Sequence, residues 1–179
     1  MSLNLVDLDE QTRRYMQMEL EDDIANNQLY VSTRLSPQGE VDWPVLLRTA
    51  IVSGDDRTLT RELRAGGRLN AYESRRTPSG GMTSAKVPVT APETLAEGEF
   101  NRYYMRGLCR RVLEENLGVV TVYRAKQVGR PRSESEQLIG QQVDPQQLLE
   151  DLRINIGTDT ALGLPAGPNS GLSVRLLVE

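Results

Sequence analysis

Residues 94–126 read TLAEGEFNRYYMRGLCRRVLEENLGVVTVYRAK, and this stretch decides the fold. It opens on Thr94 with Glu97 three residues later, the pattern of a capping box at a helix start. Apolar side chains then recur at helical spacing as far as Asn116, and β-branched residues follow. The stretch therefore predicts a long helix and, over 119–124, a strand at the centre of a small sheet.

Helical periodicity also dominates the chain upstream of this stretch. A helix capped by an Asp is predicted over 9–25, and residues 28–35 alternate like a strand. Residues 43–52, with Pro44 in the first turn, and residues 58–65 predict two short helices across a tight polar turn. Together these two helices are typical of an αα-hairpin.

The remaining segments are rich in Pro and Gly. Residues 69–92 predict an extended loop with a short edge strand over 86–89. Asp144 and Pro145 predict the start of another short helix. The run at 172–178 is typical of a strand that pairs with its own sheet or with that of another subunit.

These patterns predict an α+β fold: a small sheet packed by one long helix and an αα-hairpin, with long extended loops and arms. The expected organisation is an N-terminal helical region with one strand and the αα-hairpin (1–68), an extended loop (69–92), a central helix-strand-helix body (93–156) and an extended C-terminal arm with a terminal strand (157–179).

Charge is distributed unevenly along the chain. Residues 1–48 carry −5, residues 49–132 carry +6 and residues 133–179 carry −5, which gives the net charge of −4. Nearly all of the basic residues are Arg, which suits bidentate pairing with carboxylates. The acidic ends can therefore fold onto the basic middle of the same chain or of a neighbouring copy. The acidic run over 19–23 lies at a helix end that the helix dipole disfavours, which indicates a basic partner.

The composition argues against most catalytic chemistry. The chain has no His and one Cys, Cys109, which we expect to be a small buried hydrophobe. Lys126 follows a predicted strand, but Arg124 stands where a metal-dependent nuclease needs an acid. We therefore expect no enzyme activity, cofactor or metal. The chain also lacks the patterns of a membrane span and a signal peptide, so we expect a protein made and used in a reducing cytoplasm.

Nucleic-acid binding is an alternative use of the basic middle. The second helix of the αα-hairpin would present arginines to DNA in the manner of a helix-turn-helix: Arg57, Arg61, Arg64 and Arg68. The same residues are equally expected on the solvent face of an amphipathic helix. Tyr103 and Tyr104 fall at core spacing on the long helix, so we expect packing there and not base stacking.

Residues 97–109 read EGEFNRYYMRGLC. With residues 119–126 and 131–133, they resemble uncharacterised proteins encoded among bacteriophage or prophage head genes. The resemblance implies a virion component made in the bacterial host cytoplasm, namely a minor capsid, cement or head–tail connector protein. It carries over no catalytic residues. The implied partners are other copies of the chain or capsid, portal or tail proteins.

In a virion, the loop over 69–92, the stretch over 157–171 and the terminal strand would spread over neighbouring subunits. The arginines predicted to contact other subunits are Arg75, Arg76, Arg102, Arg106, Arg130 and Arg132. A DNA-binding accessory protein is the alternative function. An enzyme that uses carboxylates alone would need a divalent metal.

Overall fold

The protein is built from helices and two small antiparallel sheets, so the predicted α+β class is confirmed. The computed structural model describes residues 2–129, 133–158, 160–164 and 170–177. The elements in chain order are α1 (Glu10–Ala25), α2 (Pro37–Ser53), α3 (Asp56–Arg64), β1 (Tyr72–Arg76), β2 (Met82–Lys86), α4 (Ala91–Glu115), β3 (Val120–Arg124), α5 (Ser133–Leu138), β4 (Gln142–Val143), α6 (Pro145–Ile154) and β5 (Leu172–Leu176).

Helix α4 is the central element, and α1, α3 and α6 pack against it. Phe100, Tyr103, Tyr104 and Leu108 supply much of its buried surface. Cys109 is also fully buried, which confirms its prediction as a small core side chain. The two tyrosines are core residues, as their spacing predicted.

The predicted start of α4 is wrong. The helix begins at Ala91, because Pro92 can occupy the first turn, where a missing N–H costs nothing. Thr94 is already inside the helix, so it cannot cap it. Glu97 binds Lys126 instead of closing a capping box, with 2.7 Å between Nζ and Oε2.

The N-terminal half differs from its prediction in two places. Asp9 caps α1 as predicted, by accepting a hydrogen bond from Thr12 N at 2.8 Å. Helix α2, however, begins at Pro37 and not at Trp43, because Ser36 caps it, and Pro44 lies inside the helix. Residues 28–35 form no strand and make a single β-bridge, to residue 69. The carbonyl of Tyr30 instead accepts the indole N–H of Trp43 at 2.7 Å.

A β-hairpin replaces the extended loop predicted over 69–92. Strand β1 pairs with β2, with Tyr72 opposite Lys86 and Arg76 opposite Met82. The predicted edge strand over 86–89 is also wrong, since β2 ends at Lys86. The αα-hairpin prediction is confirmed by α2 and α3, which contact each other across residues 54–55.

The second sheet has the order β4-β3-β5, so β3 is central as predicted. The C-terminal strand pairs with β3 of its own chain, with Val174 opposite Val122. Leu164, Leu172 and Val174 are buried in the same core cluster as the α4 side chains. The described residues after 157 are therefore part of the body and not an extended arm. Helix α6 starts at Pro145 under an Asp144 cap, as predicted.

Hydrophobicity gives no sign of a membrane segment in these helices: within the described ranges, none is both long and apolar enough to cross a bilayer.

Candidate interaction surface

A buried ionic cluster joins α1 to α4. The Arg106 guanidinium is 1% exposed, and it donates to both carboxylate oxygens of Asp23 at 2.7 and 2.8 Å. Glu19 is fully buried and accepts hydrogen bonds from Arg106, Arg110 and Arg153 at 3.0, 3.1 and 2.9 Å. The acidic run of α1 thus meets the basic middle of its own chain, one of the two arrangements that the charge pattern allowed.

Glu19 is held as a carboxylate by this cluster. Burial acts to raise the pKa of Glu19, but the hydrogen bond from Arg153 and the charge of Arg106 outweigh it. The net result is a pKa below the ordinary value of a glutamate. Burial of opposite charges at hydrogen-bond distance makes the cluster a structural element of the core.

Arg102 is also an internal residue. Its guanidinium donates to the carbonyls of Leu152, Asn155 and Thr158 at 2.8, 2.6 and 3.2 Å. These carbonyls lie at and beyond the C-terminal end of α6, where helix carbonyls lack internal partners. The predicted intersubunit role of Arg102 and Arg106 is therefore wrong, because both guanidinium groups are buried and already paired within the chain.

Glu99 leads to a prediction on pH. Its carboxyl is buried 3.8 Å from the Arg102 Nε, and burial raises its pKa to about 7, with Arg102 and Arg106 acting in the opposite direction. The folded state therefore holds a proton that the unfolded state releases near pH 4.5, so stability falls as the pH rises from about 4.5 to 7. We expect Glu99→Gln to remove this loss.

Urea unfolding of both proteins at pH 5 and pH 8 measures the effect. Relative to the parent protein, the free energy of unfolding of the variant should rise by at least about 1 kcal/mol from pH 5 to pH 8. If the two proteins differ in free energy of unfolding by the same amount at both pH values, Glu99 ionises in the folded state as it does in the unfolded chain.

The arginines proposed for DNA binding come together only in part. Arg57, Arg61 and Arg64 line a cleft of about 840 Å³ between α3 and the start of α4, together with Lys126. Arg68 lies outside this cleft, where it binds Asp42 at 2.7 Å.

Carboxylates accompany each of the four arginines. Arg57 pairs with Asp55 and Arg61 with Glu62, at 3.1 and 3.5 Å. Arg64 pairs with Glu93. A DNA phosphate would have to displace these partners, so the cleft is less suited to a phosphate backbone than a surface with unpaired cations.

The β1–β2 hairpin presents an exposed surface of mixed polar and apolar side chains. Alternate residues point to one face, which carries Tyr72, Ser74, Arg76, Met82, Ser84 and Lys86. All six are exposed, and the two large apolar members, Tyr72 and Met82, are 58% and 68% exposed. We call these six residues the open face.

The opposite face of the hairpin attaches it to the body. Glu73 accepts a hydrogen bond from Arg34 at 2.6 Å and one from Arg75 at 2.6 Å. Asn70 N donates to the Arg34 carbonyl at 2.9 Å and continues the contact at the root of β1. Of the predicted contact arginines, Arg75 thus pairs inside the hairpin and Arg76 stands on the open face. Arg130 and Arg132 lie outside the described residues.

Neither family models nor curated proteins nor solved structures show a match to this chain. The functional argument therefore rests on the residues and their geometry.

A groove of about 250 Å³ lies at the base of the hairpin, with Arg64, Arg68 and Asn70 among its lining residues. Its apolar lining includes Leu69, Ala71, Val87, Pro88 and Pro92. The residues after β2 therefore lead directly from the open face to a groove of mixed polar and apolar lining.

Sequence reasoning missed the hairpin because its strands, YESRR and MTSAK, lack an alternating apolar pattern. One signal was present. Residues 77–81 read TPSGG, and Gly80 adopts a φ of +86°, a conformation that favours glycine in turns.

Proposed function

We propose that this protein is a non-enzymatic structural component of a phage-like virion, a minor capsid, cement or head–tail connector protein, that attaches to neighbouring subunits through the β1–β2 hairpin. The single observation that supports this role is the exposed hairpin on a well-packed body. Its open face carries apolar and cationic side chains that are exposed in the described part of the chain.

The low intrinsic stability of small sheets supports a role of the hairpin in binding a neighbouring subunit. A two-stranded hairpin is marginally stable by itself, so it gains order from the surface that it joins. The Arg34–Glu73 ion pair and the body hydrogen bonds orient the hairpin before binding, which lowers the entropic cost of association.

The DNA-binding alternative depends on the arginines of α3. Their carboxylate partners argue against it, and a salt titration separates the two functions. Binding of the full chain to duplex DNA that falls steeply between 50 and 200 mM salt would support the alternative, because phosphate contacts release counterions.

A shortened hairpin tests the proposed function. Replacing residues 74–84 with Asn-Gly joins Glu73 to Ala85 through a two-residue turn and keeps the Arg34–Glu73 ion pair. Particles made by the phage or prophage that encodes the gene are purified, and the protein is quantified in them by mass spectrometry. We expect the parent protein to be a constant component and the shortened variant to be lost from the particles.

Thermal unfolding of the shortened variant provides the control, since its core residues are untouched. Absence of the parent protein from the particles, or equal amounts of parent and folded variant, would contradict the proposal.

A further inference from the structure

Among the described residues, the backbone groups on the outer edge of β2 have no hydrogen-bond partner. Thr77 N donates to the Gly81 carbonyl, and Val87 N donates to the Ala71 carbonyl. These two bonds fix which residue pairs of the β1–β2 ladder are hydrogen-bonded to each other. In an antiparallel pair, residues alternate between groups directed at the partner strand and groups directed away from it. The N–H and C=O groups of Met82, Ser84 and Lys86 therefore point outward from β2.

These outward groups are free for a further strand. In the described part of the chain, the backbone hydrogen bonds outside the hairpin ladder involve none of Met82, Ser84 and Lys86. The outer edge of β1 is partly occupied where the strand begins, because residues 68–70 just before it pair with residues 34–36. Free edges of this kind accept extended segments by strand addition.

The positive charge of the open face favours an acidic segment beside β2. Arg76 and Lys86 are its only charged members, and within the described ranges neither has a carboxylate within 4.0 Å. A segment beside β2 places its side chains next to those of Met82, Ser84 and Lys86. Opposite Lys86 an acidic residue is favoured, and opposite Met82 an apolar one.

Resting on the proposed function, we infer that β2 binds an extended acidic segment of a neighbouring protein in the particle by strand addition. The segment continues the hairpin as a third strand. A carboxylate of the segment lies beside Lys86, and Arg76 adds positive charge to the same face from β1. An apolar side chain of the segment enters the groove whose lining includes Leu69, Val87 and Pro88.

Two proline variants test the added strand. Ser84→Pro removes an outward N–H of β2 and places a ring on that edge, whereas the β1–β2 ladder loses no hydrogen bond. Ser74→Pro is the matched control, because Ser74 lies directly opposite Ser84 and points to the other edge of the hairpin. We expect Ser84→Pro to reduce the amount of protein in purified particles about tenfold, and Ser74→Pro to leave it unchanged.

The charge is tested at Lys86. Lys86→Glu should reduce incorporation, and Lys86→Arg should preserve it, because only the sign of the charge matters for an acidic partner. Equal incorporation of Ser84→Pro and Ser74→Pro would overturn strand addition. The protein is also examined without particles. If the parent protein forms an oligomer there and Ser84→Pro abolishes it, the edge binds a second copy of the chain and the inferred partner is wrong.

The two proposals fail differently. If the parent protein is absent from particles, the proposed function fails. If the parent protein is present and the Ser84→Pro protein is present in equal amount, the function stands and the strand addition fails.

Discussion

Replacing Arg106 with Met is expected to lower the free energy of unfolding by about 3–5 kcal/mol, because it leaves the buried Asp23 carboxylate without its cation and removes one of the three arginines that bind Glu19. Asp23 loses two hydrogen bonds, at 2.7 and 2.8 Å, and Glu19 loses one at 3.0 Å. Both carboxylates are buried, so water cannot replace the guanidinium without opening the contact between α1 and α4.

Urea unfolding followed by circular dichroism measures this loss. Arg110→Met is the matched control: its side chain is 21% exposed, and it also binds Asp22 and Glu114 near the surface. We expect a loss of about 1 kcal/mol there, as for other solvent-accessible pairs. Similar losses in the two variants would show that burial does not set the strength of the cluster.

Replacing Gly107 with Ala is expected to destabilise the protein by about 1–3 kcal/mol through overpacking. A Cβ at this position would lie 2.7 Å from the backbone nitrogen of Met16 and 2.6 Å from its Cγ. The backbone atom cannot move without displacing α1, so the two helices must separate.

Gly98 in the same helix is the matched control. A Cβ there meets no atom of the described residues within 4 Å, so Gly98→Ala should stabilise the helix by up to about 1 kcal/mol through its higher helix propensity. Thermal unfolding should therefore give shifts of opposite sign for the two substitutions. A stabilised Gly107→Ala protein would show that α1 and α4 do not approach this closely.

Local signals predicted several elements correctly. Asp9 and Asp144 cap their helices as predicted, and β-branched residues mark β3 as a central strand. Where the sequence offered two possible first residues for a helix, as in α2 and α4, the local signals indicated the wrong one. Ser36 and Thr90 are less conspicuous than the Pro44 and Thr94 patterns, but the helices begin just after them. The Ser36 side chain caps α2, and Ala91 and Pro92 are buried in the first turn of α4.

The open face could not be predicted from its residues. Short polar strands such as YESRR carry no periodic apolar pattern. Their pairing with β2, the TPSGG turn and the ion pair of Glu73 with Arg34 organise them. The interface role predicted for Arg102 and Arg106 failed for a related reason. A count of charges does not tell which arginine is buried.

The sequence by itself determined the helix periods, the caps, the central strand and an Arg-rich middle between acidic ends, because these depend on neighbours along the chain. The tertiary structure alone decided which carboxylate each arginine binds and which strand edge stays open. Arg106 and Asp23 lie far apart in sequence, and any of several acids could have served as partner. Close packing of α1 on α4 at Gly107 selects this pair, since it brings those two side chains together away from water.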